Sequence, residues 1–347
     1  MPTAEPELRA RIEALARDKG FARIGVARAE PLSEDAARLR RWLAAGHHGT
    51  MAYMARTEAV RADPTHAGML PEARSVVVLA APYARADAPT GPEPGRVARY
   101  AQGRDYHNVL HRRLRPITRL LRDAGHAARA SVDTLPVLER AWAQRAGVGF
   151  IGKNCCLIVP GLGSHVFLSA IVTSAAIEPD APMPQRCGDC TLCLERCPTR
   201  AFVAPRELDA RRCIAYLTIE HRGPIEPELR QDVGDWLFGC DLCQDVCPFN
   251  RTAPPPGEAT APYAPGTRFD GVEADALLSM DEDAHHDFAG GSPLRRPGRE
   301  GLARNAALVL GNAGERRALP VLRRAAEEHD SDVVRDAAAW AVARLKG

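Results

Sequence analysis

Along the first 180 residues, segments in which apolar residues recur at helical spacing alternate with segments that have the pattern of β-strands. Leu8, Ile12 and Leu15 recur at helical spacing, which predicts an amphipathic helix over residues 6–19. Residues 74–81 (RSVVVLAA) are rich in β-branched side chains, which predicts a buried strand. The same patterns predict helices over residues 33–45, 105–125 and 136–146, and strands over residues 21–27, 127–132 and 165–173. Because helices and strands alternate, we expect a layered α/β or α+β domain up to about residue 180.

Two proline-rich stretches divide the rest of the chain. They span residues 178–186 and 253–266 and enclose a cysteine-rich module. From about residue 301, alanine and leucine recur at helical spacing. This tail resembles a HEAT-type helical repeat, and a helical cap on the preceding domain is the alternative. We therefore expect three domains, over residues 1–180, 181–252 and 253–347.

The composition is typical of an intracellular globular protein. Of 347 residues, 45% are hydrophobic and 26% are charged, and the net charge is +2. No apolar run reaches the ~18 residues of a membrane helix, and the N-terminus lacks the apolar segment of a signal peptide. We therefore expect a cytoplasmic protein with no membrane partner. Only three of the 46 basic residues are lysines: Lys19, Lys153 and Lys346.

The cysteines are the sharpest signal in the sequence. Residues 187–198 read C-x2-C-x2-C-x3-C-P, the run that binds [4Fe-4S] clusters in bacterial ferredoxins. In that run the first three thiolates hold one cluster and the fourth serves a second cluster. A zinc site is the alternative, but zinc favours two separated pairs of ligands.

A second run, C-D-L-C-Q-D-V-C-P over residues 240–248, lacks one ligand of the front triad. Cys213 is the one cysteine between the two runs and completes the set. We predict one cluster on Cys187, Cys190, Cys193 and Cys247, and another on Cys197, Cys213, Cys240 and Cys243. Because eight thiolates fill both clusters, no iron stays open for substrate, and the module is predicted to be an electron relay. The remaining pair, Cys155 and Cys156, is expected to pack as small hydrophobic residues.

Several segments resemble the epoxyqueuosine reductase family. They are GRVARYAQGRDYH (95–107), SVDTLPVLER (131–140), GFIGKNCCLIVPGLGSHVFLS (149–169), the two cysteine runs and the helical tail, and they occur in the family's order. The resemblance implies an α+β protein with an α/β cobalamin-binding domain related to reductive dehalogenases, a ferredoxin-like module with two [4Fe-4S] clusters, and an all-α repeat that binds tRNA. The implied reaction is the last step of queuosine synthesis, the two-electron reduction of epoxyqueuosine at the wobble position of tRNA.

The resemblance also implies an external low-potential electron donor. The chain lacks D-x-H-x-x-G, the motif by which many cobalamin enzymes offer an axial histidine, so no such ligand is expected. We see no interface motif and expect a monomer.

Asp133 lies between a predicted strand and a predicted helix. By position alone it is a helix-capping carboxylate. The resemblance implies instead that it donates a proton to the departing epoxide oxygen, with a pKa raised by burial beside the corrin.

Asp105, Tyr106 and His107 open the predicted helix over residues 105–125. By position alone Asp105 is an N-cap and the two rings are surface aromatics. The resemblance implies that Tyr106 and His107 approach the substrate, and His107 is suited to proton transfer near neutral pH. The corrin contacts that it implies are Arg56, Asp133, Lys153, Asn154 and Ser164, although a turn lysine is usually a solvated charge.

Positive charge is concentrated in residues 96–129, which hold nine arginines and three histidines against two acidic residues. This density is typical of a phosphate-binding patch, although a charged helix is more often a solvated face. The excess of positive charge is smaller in the tail from residue 291, which holds 11 basic against 7 acidic residues. We expect both to contact the anticodon stem-loop.

Two other functions stay open. A pure electron-transfer ferredoxin is disfavoured, because about 180 residues precede the clusters and a relay needs far fewer. A cobalamin-dependent dehalogenase of small molecules is the other, but its respiratory members carry an export signal and have no need of a basic helical tail.

Overall fold

The computed structural model describes residues 5–83, 90–251 and 257–347, so the predicted loop at 85–95 and linker at 253–266 lie partly outside it. The α-helices are α1 (Glu5–Asp18), α2 (Ser33–Ala44), α3 (Ala52–Arg56), α4 (Glu58–Ala62), α5 (Tyr106–Asp123), α6 (Glu139–Arg145), α7 (Leu192–Glu195), α8 (Ile214–Ile219), α9 (Pro227–Arg230), α10 (Leu242–Asp245), α11 (Glu282–Ala289), α12 (Gly298–Ala313), α13 (Leu319–Glu328) and α14 (Asp332–Lys346). The strands are β1 (Arg23–Arg28), β2 (Ser75–Pro82), β3 (Arg96–Val97), β4 (Ala128–Ser131), β5 (Phe150–Ile151), β6 (Leu157–Ile158), β7 (Val166–Thr173), β8 (Phe202–Ala204), β9 (Glu207–Leu208) and β10 (Trp236–Phe238).

The main sheet has the strand order β1-β2-β7-β4, and every neighbouring pair is antiparallel. Val77 in the middle of β2 lies opposite Val26 of β1 and Ile171 of β7. The domain is therefore α+β, and its predicted α/β class is wrong, since α/β sheets are built from parallel βαβ units. Alternating helices and strands predict the layers but not the strand directions, which depend on how often each connection crosses the sheet.

The sheet is covered on both faces. On one face Val77 and Leu79 pack against α1 and α5, and on the other Val76 and Val78 pack against α6 and the segment around Met69. The whole of β2 before Pro82 is buried, as its continuous apolar run predicts.

One predicted helix start differs from the structure and two agree with it. The side chain of Asp105 caps α5 as predicted, because its carboxylate accepts the His107 backbone N–H at 2.9 Å. Helix α2 begins at Ser33, the predicted position. The helix predicted over 136–146 begins only at Glu139, because residues 132–138 form an irregular loop.

The C-terminal helices share a core with the cysteine module. Leu302 and Ala306 of α12 pack in one cluster with Leu237 and Phe238 of β10. Gly311 allows α12 and α14 to approach closely, since an added Cβ would lie 2.9 Å from the Ala341 Cβ. The HEAT-like repeat and the three domain boundaries stay predictions.

The described part of the predicted linker is packed. Residues Glu258–Tyr263 form a 3-10 helix, and the buried ring of Tyr263 lies 4.8 Å from that of Phe167 in the α1–α5 core. None of the described helices is long and apolar enough to cross a membrane.

Candidate functional site

The first quartet of cysteines consists of Cys187, Cys190, Cys193 and Cys247, and the structure brings the four together. They line one cavity. Burial and the neighbouring thiols of Cys187 and Cys247 raise the pKa of Cys193 to about 11. The loop that carries the first three turns into the one-turn helix α7, where the Leu194 N–H bonds to the Thr191 carbonyl at 2.9 Å.

The second quartet consists of Cys197, Cys213, Cys240 and Cys243. Burial, with Cys213 and Cys197 nearby, raises the pKa of Cys240, and a hydrogen bond that the Cys243 thiol donates to Cys156, together with burial, raises the pKa of Cys243. The same one-turn helix recurs here as α10. The quartets are those that the spacing predicts, although their ligation of clusters is itself a prediction.

Both quartets suit iron–sulfur clusters by their chemistry. Each offers four thiols and no carboxylate or imidazole ligand, the donor set of a [4Fe-4S] cluster. Within the described ranges, no three of His, Cys, Asp or Glu converge on a single metal ion. In a [4Fe-4S] cluster each cysteine binds a different iron at a separate corner, so the four thiols need not converge on one metal ion.

The two quartets differ in exposure. Cys190 is exposed, and Leu192 beside it is 43% exposed. In the second quartet, burial is the main cause of the raised pKa of Cys213. The first quartet therefore reaches the surface at Cys190, although its Cys247 is buried, whereas the four cysteines of the second quartet are half-buried.

The loop over residues 131–139, here called the acid loop, presents Asp133 to solvent. Asp133 has a left-handed backbone with φ of 55°, and the Tyr106 hydroxyl donates to its Oδ2 at 2.9 Å. Burial and the Asp133 charge raise the pKa of Tyr106, so the phenol keeps its proton and acts as a donor. The Tyr106 ring stacks on Phe167 with 4.5 Å between ring centres. Tyr106 and Asp133 therefore form a hydrogen-bonded pair, and their roles at the substrate stay predictions.

His107 has a different partner. Its Nδ1 lies 2.7 Å from Asp105 Oδ1. Burial acts to raise the pKa of Asp105, but the hydrogen bonds from His107 outweigh it and hold that pKa below its usual range. The structure therefore pairs His107 with Asp105, and its proton transfer to substrate stays a prediction.

The four other predicted corrin contacts fall in different places. Asn154 is buried, and its Nδ2 donates to the Cys243 carbonyl at 3.2 Å. Ser164 is also buried, and its backbone N–H donates to Asn250 Oδ1 at 2.6 Å. Both tie the 149–164 segment to the second cysteine run. Lys153 lines the cavity of the first quartet, and Arg56 is an exposed residue at the end of α3.

Helix α6, which follows the acid loop, is connected to the second quartet through two further cysteines. The Arg140 Nη1 donates to the Cys155 carbonyl at 2.5 Å, and the next residue, Cys156, shares a hydrogen bond with Cys243. Cys156 is thus more than the small hydrophobic residue that we expected.

Sequence reasoning missed two buried ionisable groups. Burial and the nearby Asp133 raise the pKa of Glu139 to about 7, but from sequence it is an ordinary acidic residue in a first helical turn. Arg99 is 4% exposed and its Nη1 lies 3.0 Å from Asp241 Oδ2. Burial raises the pKa of that carboxyl to about 6. Arg99 is therefore structural and does not belong to the predicted phosphate patch.

A family model described as a 4Fe-4S double cluster binding domain matches residues 186–250. Together with the two quartets, it defines the class as an iron–sulfur protein with two [4Fe-4S] clusters. A family model described as epoxyqueuosine reductase QueG, DUF1730, matches residues 61–134. An epoxyqueuosine reductase of Gloeobacter violaceus is 43% identical over 88% of this chain and 97% of its own length. The chain belongs to the epoxyqueuosine reductase family.

Further relatives agree. The epoxyqueuosine reductase of Escherichia coli is 35% identical over 97% of this chain and 89% of its own. The crystal structure of an epoxyqueuosine reductase with an epoxyqueuosine-modified tRNA stem loop has a TM-score of 0.90 and 31% identity, and covers 99% of this chain and 91% of that one. A Bacillus subtilis epoxyqueuosine reductase, whose catalytic aspartate loop is swung out of the active site, has a TM-score of 0.88 at 31% identity over 98% of this chain and 91% of that one.

Proposed function

We propose that this protein reduces epoxyqueuosine at the wobble position of tRNA to queuosine. The observation that carries the proposal is the hydrogen bond from Tyr106 of α5 to the exposed Asp133 of the acid loop, in a chain of this family. In the balanced reaction the epoxide takes up two electrons and two protons and releases its oxygen as water, leaving a carbon–carbon double bond.

The first and second quartets would each hold a [4Fe-4S] cluster and pass electrons singly. Cobalamin would bind over the acid loop, where it supplies a strongly reducing centre for opening the epoxide. The residues present fit such a group, because Asp133 is exposed and helix α6, directly after its loop, contacts Cys155, whose neighbour Cys156 shares a hydrogen bond with Cys243. Arg56, Lys153, Asn154 and Ser164 are proposed as further contacts, although Asn154 and Ser164 are already bonded within the protein.

The chain's own residues would manage the protons. Asp133 in its protonated form donates to the departing epoxide oxygen. Tyr106 fixes the direction of that carboxyl, because its hydroxyl donates to one oxygen and leaves the other for the substrate. His107, held by Asp105, is placed one residue from Tyr106 and would supply the second proton.

Helix α5 offers a surface for the tRNA. Its exposed side carries Arg112, Arg115, Arg119 and Arg122. Arg99 and Arg96 are engaged elsewhere, since Arg96 pairs with Asp235 at 2.7 Å. We propose that the α5 arginines contact anticodon-stem phosphates, in which case binding weakens steeply with salt. The tRNA substrate also argues for a cytoplasmic enzyme, which we propose to act as a monomer.

An anaerobic turnover assay tests the function. Reconstituted protein, with and without cobalamin, is incubated with a low-potential reductant and tRNA from cells that lack this activity, and the digested nucleosides go to mass spectrometry. We expect epoxyqueuosine to lose one oxygen only when cobalamin is present. Asp133→Asn should abolish the loss, whereas the exposed Asp18→Asn should not. An Asp133→Asn variant with full activity would exclude the proton-donor role, and no conversion by intact protein would exclude the function.

A further inference from the structure

Leu192 and Val203 stand out on the surface. They are the exposed large hydrophobic residues of the described chain, at 43% and 51%. Leu192 lies in the ligand loop between Cys190 and Cys193. Val203 is the middle residue of β8, with half-buried residues on either side, so its side chain points outward. Because both side chains are exposed, packing in the hydrophobic core does not account for an apolar residue at either position.

Leu192 borders the first quartet, and Val203 lies on a hairpin that is attached beside it. Leu192 lines the same cavity as the quartet, and so does Lys153. The hairpin of β8 and β9 is attached at this place, because the Arg206 N–H donates to the Lys153 carbonyl at 2.9 Å. The two apolar side chains thus lie on elements that meet at Lys153, where the quartet is most exposed.

Four exposed arginines are close in sequence to these two residues. They are Arg186, Arg196, Arg200 and Arg206, here called the basic rim. The same stretch carries three carboxylates, Asp189, Glu195 and Glu207. The Thr191 hydroxyl donates to Glu195, and His47 lies 4.0 Å from Glu207. The surface is therefore a small apolar centre with a mainly positive edge. It favours an acidic partner by charge complementarity.

The placement of the quartets supplies the reason for a partner here. The second quartet has no exposed cysteine, and Cys155 and Cys156 connect its Cys243 to helix α6 after the acid loop, so electrons would leave from it towards the substrate. The first quartet is the end that reaches solvent, through the exposed Cys190. Electron carriers that dock transiently use small interfaces, and two apolar side chains within a charged rim fit that scale.

We infer that Leu192, Val203 and the basic rim form the docking surface for a small acidic electron-carrier protein that delivers single electrons to the first quartet. The inference rests on the proposed function only in requiring that the quartets hold clusters. Each transfer moves one electron from the reduced carrier to an oxidised cluster, and no bond is made or broken.

Stopped-flow reduction of the cluster absorbance tests this without tRNA or turnover. The holoprotein is mixed with reduced flavodoxin, an acidic carrier, or with dithionite, a small reductant that needs no docking. Val203→Glu and Arg206→Glu change two hairpin residues that are ligands of neither predicted cluster. We expect each to lower the flavodoxin rate constant by about tenfold at low salt, with less effect at high salt, and to leave the dithionite rate unchanged.

Arg17→Glu on α1 is the matched control, with the same charge change at an exposed site remote from the rim. A flavodoxin rate that is unchanged in both hairpin variants, or that falls equally in Arg17→Glu, would overturn the inference. So would self-association of the chain that Val203→Glu abolishes, since the surface would then be a homodimer contact. Because the readout is cluster reduction, a failure of epoxyqueuosine turnover would contradict the proposed function and leave this result standing.

Discussion

Asn305 on α12 connects the C-terminal tail to the second quartet. The residue is fully buried, and its Nδ2 donates to the carbonyls of Thr218 at 2.8 Å and Leu237 at 2.9 Å. The Thr218 hydroxyl in turn accepts the Gly239 N–H at 2.9 Å, directly before Cys240. Replacing Asn305 by leucine keeps a similar volume and removes both donors.

The expected cost follows from these contacts. Two buried carbonyls lose their donors, at ~2 kcal/mol each. Arg304 also loses the Asn305 Oδ1 as an acceptor, although it keeps the carbonyls of Leu217, His221 and Gly223. Burying a leucine in place of an amide offsets about 1–2 kcal/mol. We therefore expect Asn305→Leu to lower the free energy of unfolding by about 2–3 kcal/mol.

Urea unfolding under anaerobic conditions, followed by circular dichroism, measures this loss, and iron content reports on the quartet. Asn108→Leu is the matched control, since Asn108 is an exposed residue of α5 and its replacement should change stability by no more than ~0.5 kcal/mol. We expect Asn305→Leu to unfold at lower urea and to retain less iron than the control. Equal midpoints and equal iron in the two variants would refute the bridging role of Asn305.

Three further changes test the site. Tyr106→Phe removes the hydroxyl that donates to Asp133 but keeps the ring stacking, so kcat should fall about tenfold with KM for tRNA unchanged; an unaltered kcat would contradict the orienting role. Burial and the Asp133 charge raise the pKa of Glu139 to about 7 in the folded state, although Arg140 and Arg61 oppose the shift. Because the ordinary value is 4.5, the folded state holds the proton more tightly, and the free energy of unfolding falls as pH rises from 4.5 to 7. Glu139→Gln should remove up to about 3 kcal/mol of that fall. We would compare the unfolding midpoints of variant and parent at pH 5 and at pH 8. The same difference at both pH values would disprove the role of Glu139. In Gly163→Ala the new Cβ would lie 2.0 Å from Asn250 Oδ1, whereas the equally left-handed Gly161 has open space; iron content should therefore fall in Gly163→Ala and not in Gly161→Ala, and equal iron would argue against the Asn250 contact.

What the sequence predicts well here is local or covalent in origin. The Asp105 cap depends on one side chain and a backbone N–H two residues away, and β2 depends on a continuous apolar run. The cysteine partition depends on spacing, because three thiols on a short loop reach the same place whatever surrounds them. Each of these signals lies within a few residues of the feature that it predicts.

What the sequence does not predict depends on distant partners. Arg99 looks like a surface cation until Asp241, 142 residues away, encloses it. Glu139 looks like an ordinary helix-start carboxylate until the acid loop and α4 bury it. The strand directions depend on the paths of the connections, which no local period records. The late start of α6 has the same origin, because residues 132–138 form the loop that presents Asp133.

The difference in burial between the two quartets gives the relay a direction. An exposed cluster exchanges electrons with a partner in solution, while an interior one is shielded from solvent and from small oxidants. The tail supports the second quartet, since Asn305 of α12 donates to the Leu237 carbonyl three residues before Cys240 and α12 packs its apolar side on β10. The tail therefore belongs to the proposed redox unit as well as to the expected tRNA surface. A chain that ended before α12 would lose these contacts, which hold the segment that leads to Cys240.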